Sequence, residues 1–319
     1  MPEAALADLA RAVAAAGYSF VTPTPATHAR VNARPGNAWA RDLRDVLGWS
    51  RPFLPEILPP GLFALMRAAG ILRAHGPGWC SALRLSTLDG LMFFHSAYPT
   101  NAADAVFFGP DTYRFARAIQ AALEHRQKPV LRVVDIGCGA GPGAILAARL
   151  RPEAEVIAVD INPAALALTR VNAALAGTSV SACISDLLAD IPGEFDLIVS
   201  NPPYLVDQAA RAYRHCGGPL GAELSLRIVA TACERLAPGG TLLLYTGAVM
   251  VDGQDPFHAA AIAIVKAAGQ GLTYEELAWT YEEIDPDVFG EELTDGPYGN
   301  ADRIAAVVLA VTRTDHNTR

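Results

Sequence analysis

The sequence lacks any excess of positive charge: 25 lysines and arginines stand against 33 aspartates and glutamates, a formal net charge of −8. That balance excludes a generally basic domain drawn to a phosphate backbone, so any nucleic-acid contact needs a local patch. Long apolar runs are absent as well. The stretches around Leu242 and Ile262 are cut by polar residues or glycine, well short of the roughly 20 residues that span a bilayer, so no membrane association is expected. The cysteines are few and scattered. Cys80, Cys138, Cys183, Cys216 and Cys233 form no C-x-x-C pair, which removes the usual zinc and redox signatures and leaves reduced thiols in a cytoplasmic protein as the expectation. His28, His95, His215 and His258 are isolated and read as structural or surface residues, with no metal site. There is neither an internal repeat nor a low-complexity tract. The Ala-rich opening also lacks a continuous apolar core: Glu3, Asp8 and Arg11 interrupt it, and Leu6, Leu9 and Val13 recur at helical spacing, so it reads as an amphipathic helix and not a signal peptide.

What is present is an apolar, weakly charged chain, 51% hydrophobic and 18% charged over 319 residues. That suits one large α/β domain with a smaller one attached. Residues 1–102 read as the smaller, substrate-recognising part and 103–319 as the larger. In the first part, the proline-bearing stretch from Thr22 to Gly36 reads as a loop. Asn37 then caps a helix that carries Trp39, Leu43, Val46 and Leu47 on one face, and Leu62, Leu65, Met66 and Ala69 predict another helix ending at Gly70. Asp89-Gly90 between two apolar runs predicts a β-hairpin over Ala82–His95. Helices followed by a hairpin suit either a winged-helix-like module or a plain helical cap.

From Val130 the pattern changes to apolar strands alternating with Ala-rich helices, which calls for a mostly parallel, Rossmann-like sheet. Strands are predicted at Val130–Ile136, Val156–Ile161, Val180–Ile184, Phe195–Ser200, Thr241–Thr246, Leu272–Glu283 and Arg303–Val311. The last two are joined by a loop without helical periodicity and should pair antiparallel at an edge.

Three strand ends carry chemistry. Asp135-Ile136-Gly137-Cys138-Gly139-Ala140-Gly141 is a glycine-rich turn that lets the backbone approach a ligand. Alone it is a weak signal, since dinucleotide-binding folds offer a similar turn. Asp160, about 25 positions after Asp135, ends the next strand where a carboxylate accepts from ribose hydroxyls, with Ile161 and Asn162 placed to flank a base. Asp186, followed by Leu187, ends the third strand, where a carboxylate could accept from an adenine amino group. Each aspartate alone reads as well as a helix cap or a solvated loop residue; together they favour a nucleoside site. Cys138 within the turn reads as a small space-filler.

The fourth strand runs straight into Asn201-Pro202-Pro203-Tyr204. Two prolines stiffen the turn and fix the directions of the Asn201 and Pro202 carbonyls. A planar NH2 group laid against the Tyr204 ring could donate one hydrogen to the Asn201 side-chain oxygen and the other to the Pro202 carbonyl. Such clamping favours the pyramidal, more nucleophilic geometry of a nitrogen whose lone pair is otherwise delocalised.

The motifs DIGCGAGPG, AVDINPAAL, ISDLL and FDLIVSNPPY, in this order and spacing, resemble the class I S-adenosylmethionine-dependent methyltransferases. The NPPY signature is similar to that of the HemK-like release-factor glutamine and small rRNA N-methyltransferase group. The resemblance covers about Phe107 to Val311. It implies a seven-stranded sheet with a reversed terminal hairpin, S-adenosyl-L-methionine as cofactor, and cofactor contacts from Asp135, Gly137, Gly139, Asp160 and Asp186. Cys138, Gly141, Ile161, Asn162, Leu187 and Asn201 are counted with them. It also implies that Asn201, Pro202, Pro203 and Tyr204 hold the target nitrogen. Where release-factor enzymes carry an Ile-Pro-Arg-Pro-Glu-Thr-like segment, this chain reads Phe107-Phe108-Gly109-Pro110-Asp111-Thr112-Tyr113, with Phe108 and Tyr113 placed to cover the cofactor.

The expected activity is therefore methyl transfer to a planar amide or amino nitrogen of a macromolecule, either a protein glutamine or a nucleic-acid base. A small-molecule acceptor is the alternative, and a NAD-dependent oxidoreductase, which has no use for the Asn-Pro-Pro-Tyr turn, a remote one. Arg30, Arg34, Arg41, Arg44, Arg51, Arg67, Arg73 and Arg84 enrich the N-terminal part in arginine; solvated helix faces are preferred over a nucleic-acid surface as the explanation. The Pro-, Gly- and acid-rich stretch from Asp285 to Asn300 is expected to form a rim near the site.

Overall fold

The computed structural model describes residues 3–126, 128–206, 219–271, 277–293 and 298–315. The N-terminal part holds four helices, α1 (Glu3–Ala15), α2 (Pro25–Asn32), α3 (Leu43–Leu47) and α4 (Leu62–Ala68). Two hairpins follow, β1 (Leu72–His75) with β2 (Gly78–Ser81), and β3 (Leu83–Leu88) with β4 (Leu91–Ser96). The apolar stripe of α1 is buried at Leu6, Leu9 and Val13. Asp89 and Gly90 turn the second hairpin with positive φ at both positions, as a two-residue connection of this hand requires.

Two expectations fail here. The stretch from Thr22 to Gly36 is not all loop: Thr24 accepts from the Thr27 N–H at 3.2 Å, and Pro25 takes the first helical position, where a missing N–H costs nothing. A Thr-Pro pair starts α2 where the prolines had suggested a break. Nor does Asn37 cap the next helix. Asp42 does, accepting from the Asp45 N–H at 2.8 Å, while the Asn37 amide donates at 2.8 Å to the Val31 carbonyl at the end of α2. The first hairpin has no clear alternation to betray it; β1 is exposed along most of its length. Of the eight arginines expected on solvated faces, two are inside. Arg51 pairs with buried Asp45 at 2.6 Å, and Arg84 meets His28 Nδ1 at 3.0 Å.

Helix α5 (Pro110–Glu124) leads into the larger part. There β5 (Arg132–Ile136), α6 (Pro142–Leu150), β6 (Glu155–Asp160), α7 (Pro163–Ala176), β7 (Ser181–Ile184) and β8 (Phe195–Ser200) alternate. They are followed by α8 (Glu223–Arg235), β9 (Leu236–Met250), α9 (Pro256–Gly271), β10 (Leu277–Asp285) and β11 (Arg303–Arg313). The seven strands lie in the order β10-β11-β9-β8-β5-β6-β7. The five central and outer strands β5 to β9 are parallel; β11 pairs antiparallel with both β9 and β10. The seven-stranded sheet with its reversed edge is thus as read from the sequence. The start placed at Leu272 lies outside the described residues, and so does Cys216.

Alternate residues of each strand face opposite layers. Val133, Leu197 and Val199 pack with α5 and α6, whereas Val134, Ile136 and Ile198 pack with α8 and α9. The N-terminal part shares a core with α6 and α7: Leu6, Leu9, Leu85 and Phe94 are in one cluster with Ile145, Leu146, Leu168 and Val171. The strand order reverses at β5, which has β6 on one side and β8 on the other. In open α/β sheets that reversal leaves a crevice at the carboxyl ends of the two strands. The register puts Ile136 opposite both Val159 and Ser200, and the Ser200 hydroxyl donates to the Ile136 carbonyl at 2.7 Å. The residues following β5, β6 and β8 therefore emerge side by side.

Candidate active site

At that crevice lies a cavity of about 600 Å³, within the range of small-molecule sites. Its floor is the turn after β5. Gly137 and Gly139 both have positive φ, and a side-chain carbon on Gly137 would meet nothing within 4 Å, so backbone faces open space. Asp160 stands beside it, with Oδ2 accepting from the Gly139 N–H at 3.0 Å and Oδ1 from the Asn162 N–H at 2.9 Å. Burial pushes its carboxyl upward in pKa. Ile161 is 62% exposed yet lines the cavity, an apolar surface left largely open by the described residues. Asn162 caps α7 through the Ala164 N–H at 2.9 Å and donates to the Asp104 carbonyl at 2.9 Å. Asp186 and Leu187 complete this side. Asp186 is not free: Arg227, on α8, reaches it at 3.0 Å.

Other predicted residues stand behind the wall. Asp135 is buried and accepts from the Ala144 N–H at 2.9 Å, holding the first turn of α6 against β5. Burial raises its pKa to about 7, the Ala144 N–H opposing and nearby Asp160 adding to the rise. Cys138 is buried with its sulfur 3.5 Å from Thr169 Oγ1, and burial pushes the thiol far up, so it is an inert filler. Gly141 packs against Thr169, with no room for a side chain. Tyr113 is not among the described residues that line the cavity: its hydroxyl accepts from the Thr22 N–H at 3.0 Å, and its ring meets buried Phe108 edge-on at 5.6 Å. It ties the N-terminal segment to α5.

The opposite wall is the turn after β8. Asn201, Pro202, Pro203 and Tyr204 all line the same cavity. The Asn201 side chain makes no hydrogen bond to any described residue, while Tyr204 is heavily tied. Its hydroxyl donates to Asp111 Oδ2 at 2.8 Å, its ring meets Phe289 edge-on at 5.9 Å, and a side-chain carbon on Gly247 would fall 2.2 Å from the ring. Burial first, and then the Asp111 carboxylate, hold the Tyr204 phenol far above its ordinary pKa, so it stays protonated.

Several wall residues had no signal in the sequence. Tyr98, Pro99, Thr100 and Asn101 reach the cavity from beyond the β3–β4 hairpin, and Asp111 and Phe107 from the segment before and within α5. Glu223, Leu224 and Arg227 come from the first turns of α8, and Phe289 from beyond β10. Two were foreseen in kind: the segment of Phe107 and Asp111, though through Phe108 and Tyr113, and Phe289 as part of a rim after Asp285; residues 294–297 of that rim lie outside the described residues.

The pieces fit S-adenosylmethionine. Open backbone at Gly137 and Gly139, a carboxylate at Asp160 and a bare apolar side chain at Ile161 match a nucleoside. Among the described residues of the wall, the carboxylates of Asp160, Asp186, Asp111 and Glu223 stand against one basic side chain, Arg227, a balance that suits a sulfonium cation. Among the described residues no cluster could hold a metal, and no helix is long and apolar enough to cross a membrane.

Comparison with known proteins agrees. Residues 115–250 match the family described as the methyltransferase small domain. The chain is 36% identical over 219 residues to a release factor glutamine methyltransferase of Deinococcus radiodurans, spanning 65% of this chain and 72% of that one. It is 42% identical over 120 residues, 37% of this chain and 32% of the other, to ribosomal RNA small subunit methyltransferase C of Chromohalobacter salexigens. The crystal structure of Trm5b from Pyrococcus abyssi superposes with a TM-score of 0.51 at 16% identity, over 76% of this chain and 62% of that one, a likeness of fold alone. The chain belongs to the S-adenosylmethionine-dependent methyltransferases of the group that includes the release factor glutamine and small rRNA methyltransferases.

Proposed function

We propose that this enzyme methylates a planar NH2 group carried by a macromolecule, and that the acceptor is the side-chain amide of a protein glutamine. One observation carries the reading. Asn201, whose side-chain amide makes no hydrogen bond to any described residue, stands at the end of β8 and shares a single cavity with the open glycine turn after β5. Asn201 Oδ1 takes one hydrogen of the incoming amide and the Pro202 carbonyl takes the other, while the ring of Tyr204 limits the plane in which the group lies. Gly137, Gly139, Asp160, Ile161 and Asp186 hold the cofactor, which when bound supplies an electrophilic methyl on a sulfonium. Two acceptors aimed at the nitrogen's hydrogens favour its pyramidal form, so a strong general base is not required.

Protein is favoured over nucleic acid on charge. Among the described residues the cavity wall carries Asp111, Asp160, Asp186 and Glu223 against Arg227, and the chain as a whole is at −8, an unfavourable field for phosphates. The Deinococcus relative is named for a protein glutamine. The rRNA-directed relative supports a base amine as the second reading. The free thiols of Cys80, Cys138, Cys183 and Cys233 accord with work in the cytoplasm.

The test is uptake of label from tritiated S-adenosylmethionine into three separate acceptors: unmethylated release factor, deproteinised rRNA and DNA. Label in protein, lost in Asn201→Ala while calorimetry shows cofactor affinity within about twofold of wild type, is the expected result. Label in rRNA or DNA alone would move the assignment to a base amine. Unchanged turnover in Asn201→Ala would remove the clamp.

A further inference from the structure

We propose that Asp111 is a positioning residue for methyl transfer, acting through the hydroxyl of Tyr204. The inference rests on the reading of Asn201 to Tyr204 as the acceptor clamp, and adds to it a residue 93 positions away that lies outside the four motifs.

Asp111 is the second residue of α5, buried, and on the cavity wall. Its carboxylate is the meeting point of three donors. Oδ2 accepts from the Tyr204 hydroxyl at 2.8 Å; Oδ1 accepts from the Tyr245 hydroxyl at 2.6 Å and from Arg114 Nη1 at 3.3 Å. Tyr245 is in β9 and fully buried, so one end of the arrangement is fixed in the sheet. Arg114, one turn along α5, donates its other nitrogen to Asp285 at 2.5 Å, at the end of β10. The segment that follows β10 supplies Phe289, which meets the Tyr204 ring. Asp111 thus joins the acceptor turn after β8, the central strand β9 and, through Arg114, the edge of the sheet.

Two roles compete for such a carboxylate. Three of the carboxylate's roughly four lone-pair sites are taken by Tyr204, Tyr245 and the Arg114 guanidinium, so Asp111 is committed to holding groups of the protein, which argues against general-base work. What it does do is fix the phenol. A tyrosine ring has two free torsions; the Gly247 backbone restrains the ring by contact and Asp111 fixes the far end by a charge-assisted hydrogen bond. The ring that bounds the acceptor plane is thereby held without any contact from Asp111 to the acceptor. Chemistry that depends on aligning a nitrogen with a methyl is sensitive to displacements of an ångström, so loosening this ring lowers kcat more than it raises the acceptor KM.

Full-length protein in three variants tests this: Asp111→Asn, Tyr204→Phe and the double substitution. The first readout needs no acceptor. With tyrosine carbon-13-labelled at the ring ε carbons, the Tyr204 resonance is assigned by its loss in Tyr204→Phe, and in Asp111→Asn it should shift or broaden while that of Tyr281, remote from the site, stays in place. An unmoved Tyr204 resonance would overturn the proposal. The second readout is turnover with tritiated S-adenosylmethionine and unmethylated release factor. Each single variant should lose about tenfold to a hundredfold in kcat, keep cofactor affinity within about twofold, and the double should be no worse than the poorer single. Full kcat in Tyr204→Phe beside a slow Asp111→Asn, or losses that multiply in the double, would show that Asp111 acts by some other route. Asn201→Ala, run in parallel, separates the two ideas: if it retains turnover the clamp itself is wrong, whereas its inactivity beside unimpaired Asp111→Asn and Tyr204→Phe condemns the positioning role alone.

Discussion

The side-chain amide of Asn172 pairs with the backbone of Phe94 as a neighbouring strand would, accepting from its N–H at 2.8 Å and donating to its carbonyl at 3.0 Å. The same nitrogen donates to the Ala140 carbonyl at 2.9 Å. One buried residue of α7 thereby fastens the N-terminal hairpin to the turn that faces the cofactor crevice. Asn172→Ala leaves a buried N–H and two carbonyls without partners, at about 1–3 kcal/mol each before relaxation. A net loss of about 2–4 kcal/mol is expected in urea denaturation, together with weakened cofactor binding in calorimetry. Loss below about 0.5 kcal/mol, within the range of ordinary surface changes, would mean that the hairpin does not depend on this residue.

Gly247 makes a prediction of the opposite kind, in which stability changes less than turnover. It lies in β9 against the ring of Tyr204, and a methyl there would fall 2.2 Å from the ring. Gly247→Ala must displace the ring and with it the acceptor plane. A fall of about tenfold or more in kcat is expected, with S-adenosylmethionine affinity near wild type because Gly137, Asp160 and Ile161 are untouched. Equal losses in kcat and cofactor affinity would indicate a general disturbance of the sheet.

These two residues mark what the sequence could and could not disclose. The strand ends were legible because each carries its chemistry in a contiguous string: glycines where backbone must face a ligand, an acid at the strand terminus, two prolines before Tyr204. The alternation of apolar strands with helices likewise predicts the sheet and its reversed edge. The walls that close the site are assembled from distant contacts. Nothing in Gly109-Pro110-Asp111 says that Asp111 meets Tyr204 and Tyr245, and Gly247 within an apolar strand looks like any weak strand position. Tyr113 could cover the cofactor on the sequence alone; the bond that engages its hydroxyl comes from the Thr22 backbone, 91 residues earlier in the chain, a contact that local sequence does not show. The prolines near Thr24 misled because the same residue that breaks a helix inside favours one at its first position.

Asp135 gives a pH-dependent prediction. Its folded-state pKa, raised by burial to about 7 from 3.8, means that the folded protein binds a proton between those values where the unfolded chain does not. Stability from this group therefore falls as pH rises from about 4 to 7, and the cost of the buried charge is fully present above 7. Asp135→Asn keeps an oxygen for the Ala144 N–H and removes the charge. The variant should gain on wild type with rising pH, by up to ~4 kcal/mol at pH 8 as a ceiling, and match it near pH 4. His28, pushed down to about 4 by burial and by Arg84, destabilises both proteins alike as pH falls from 6.5 and cancels in the difference. A pH-independent difference in urea denaturation at pH 5 to 8 would refute the buried titration.

Ile161 offers the cleanest separation of binding from folding. Its side chain is 62% exposed on the cavity wall, so truncation removes little that the fold has buried, and Ile161→Ala should leave the denaturation midpoint nearly unchanged. If the cofactor's base covers that side chain, binding takes its apolar surface out of water, a contribution of about 1.5 kcal/mol and so roughly a tenfold loss of affinity on truncation. Calorimetry with S-adenosylmethionine and with S-adenosylhomocysteine should show the same loss for both, because the two differ at the sulfur and share the nucleoside. A loss confined to S-adenosylmethionine would place Ile161 beside the sulfonium and move the base elsewhere in the cavity.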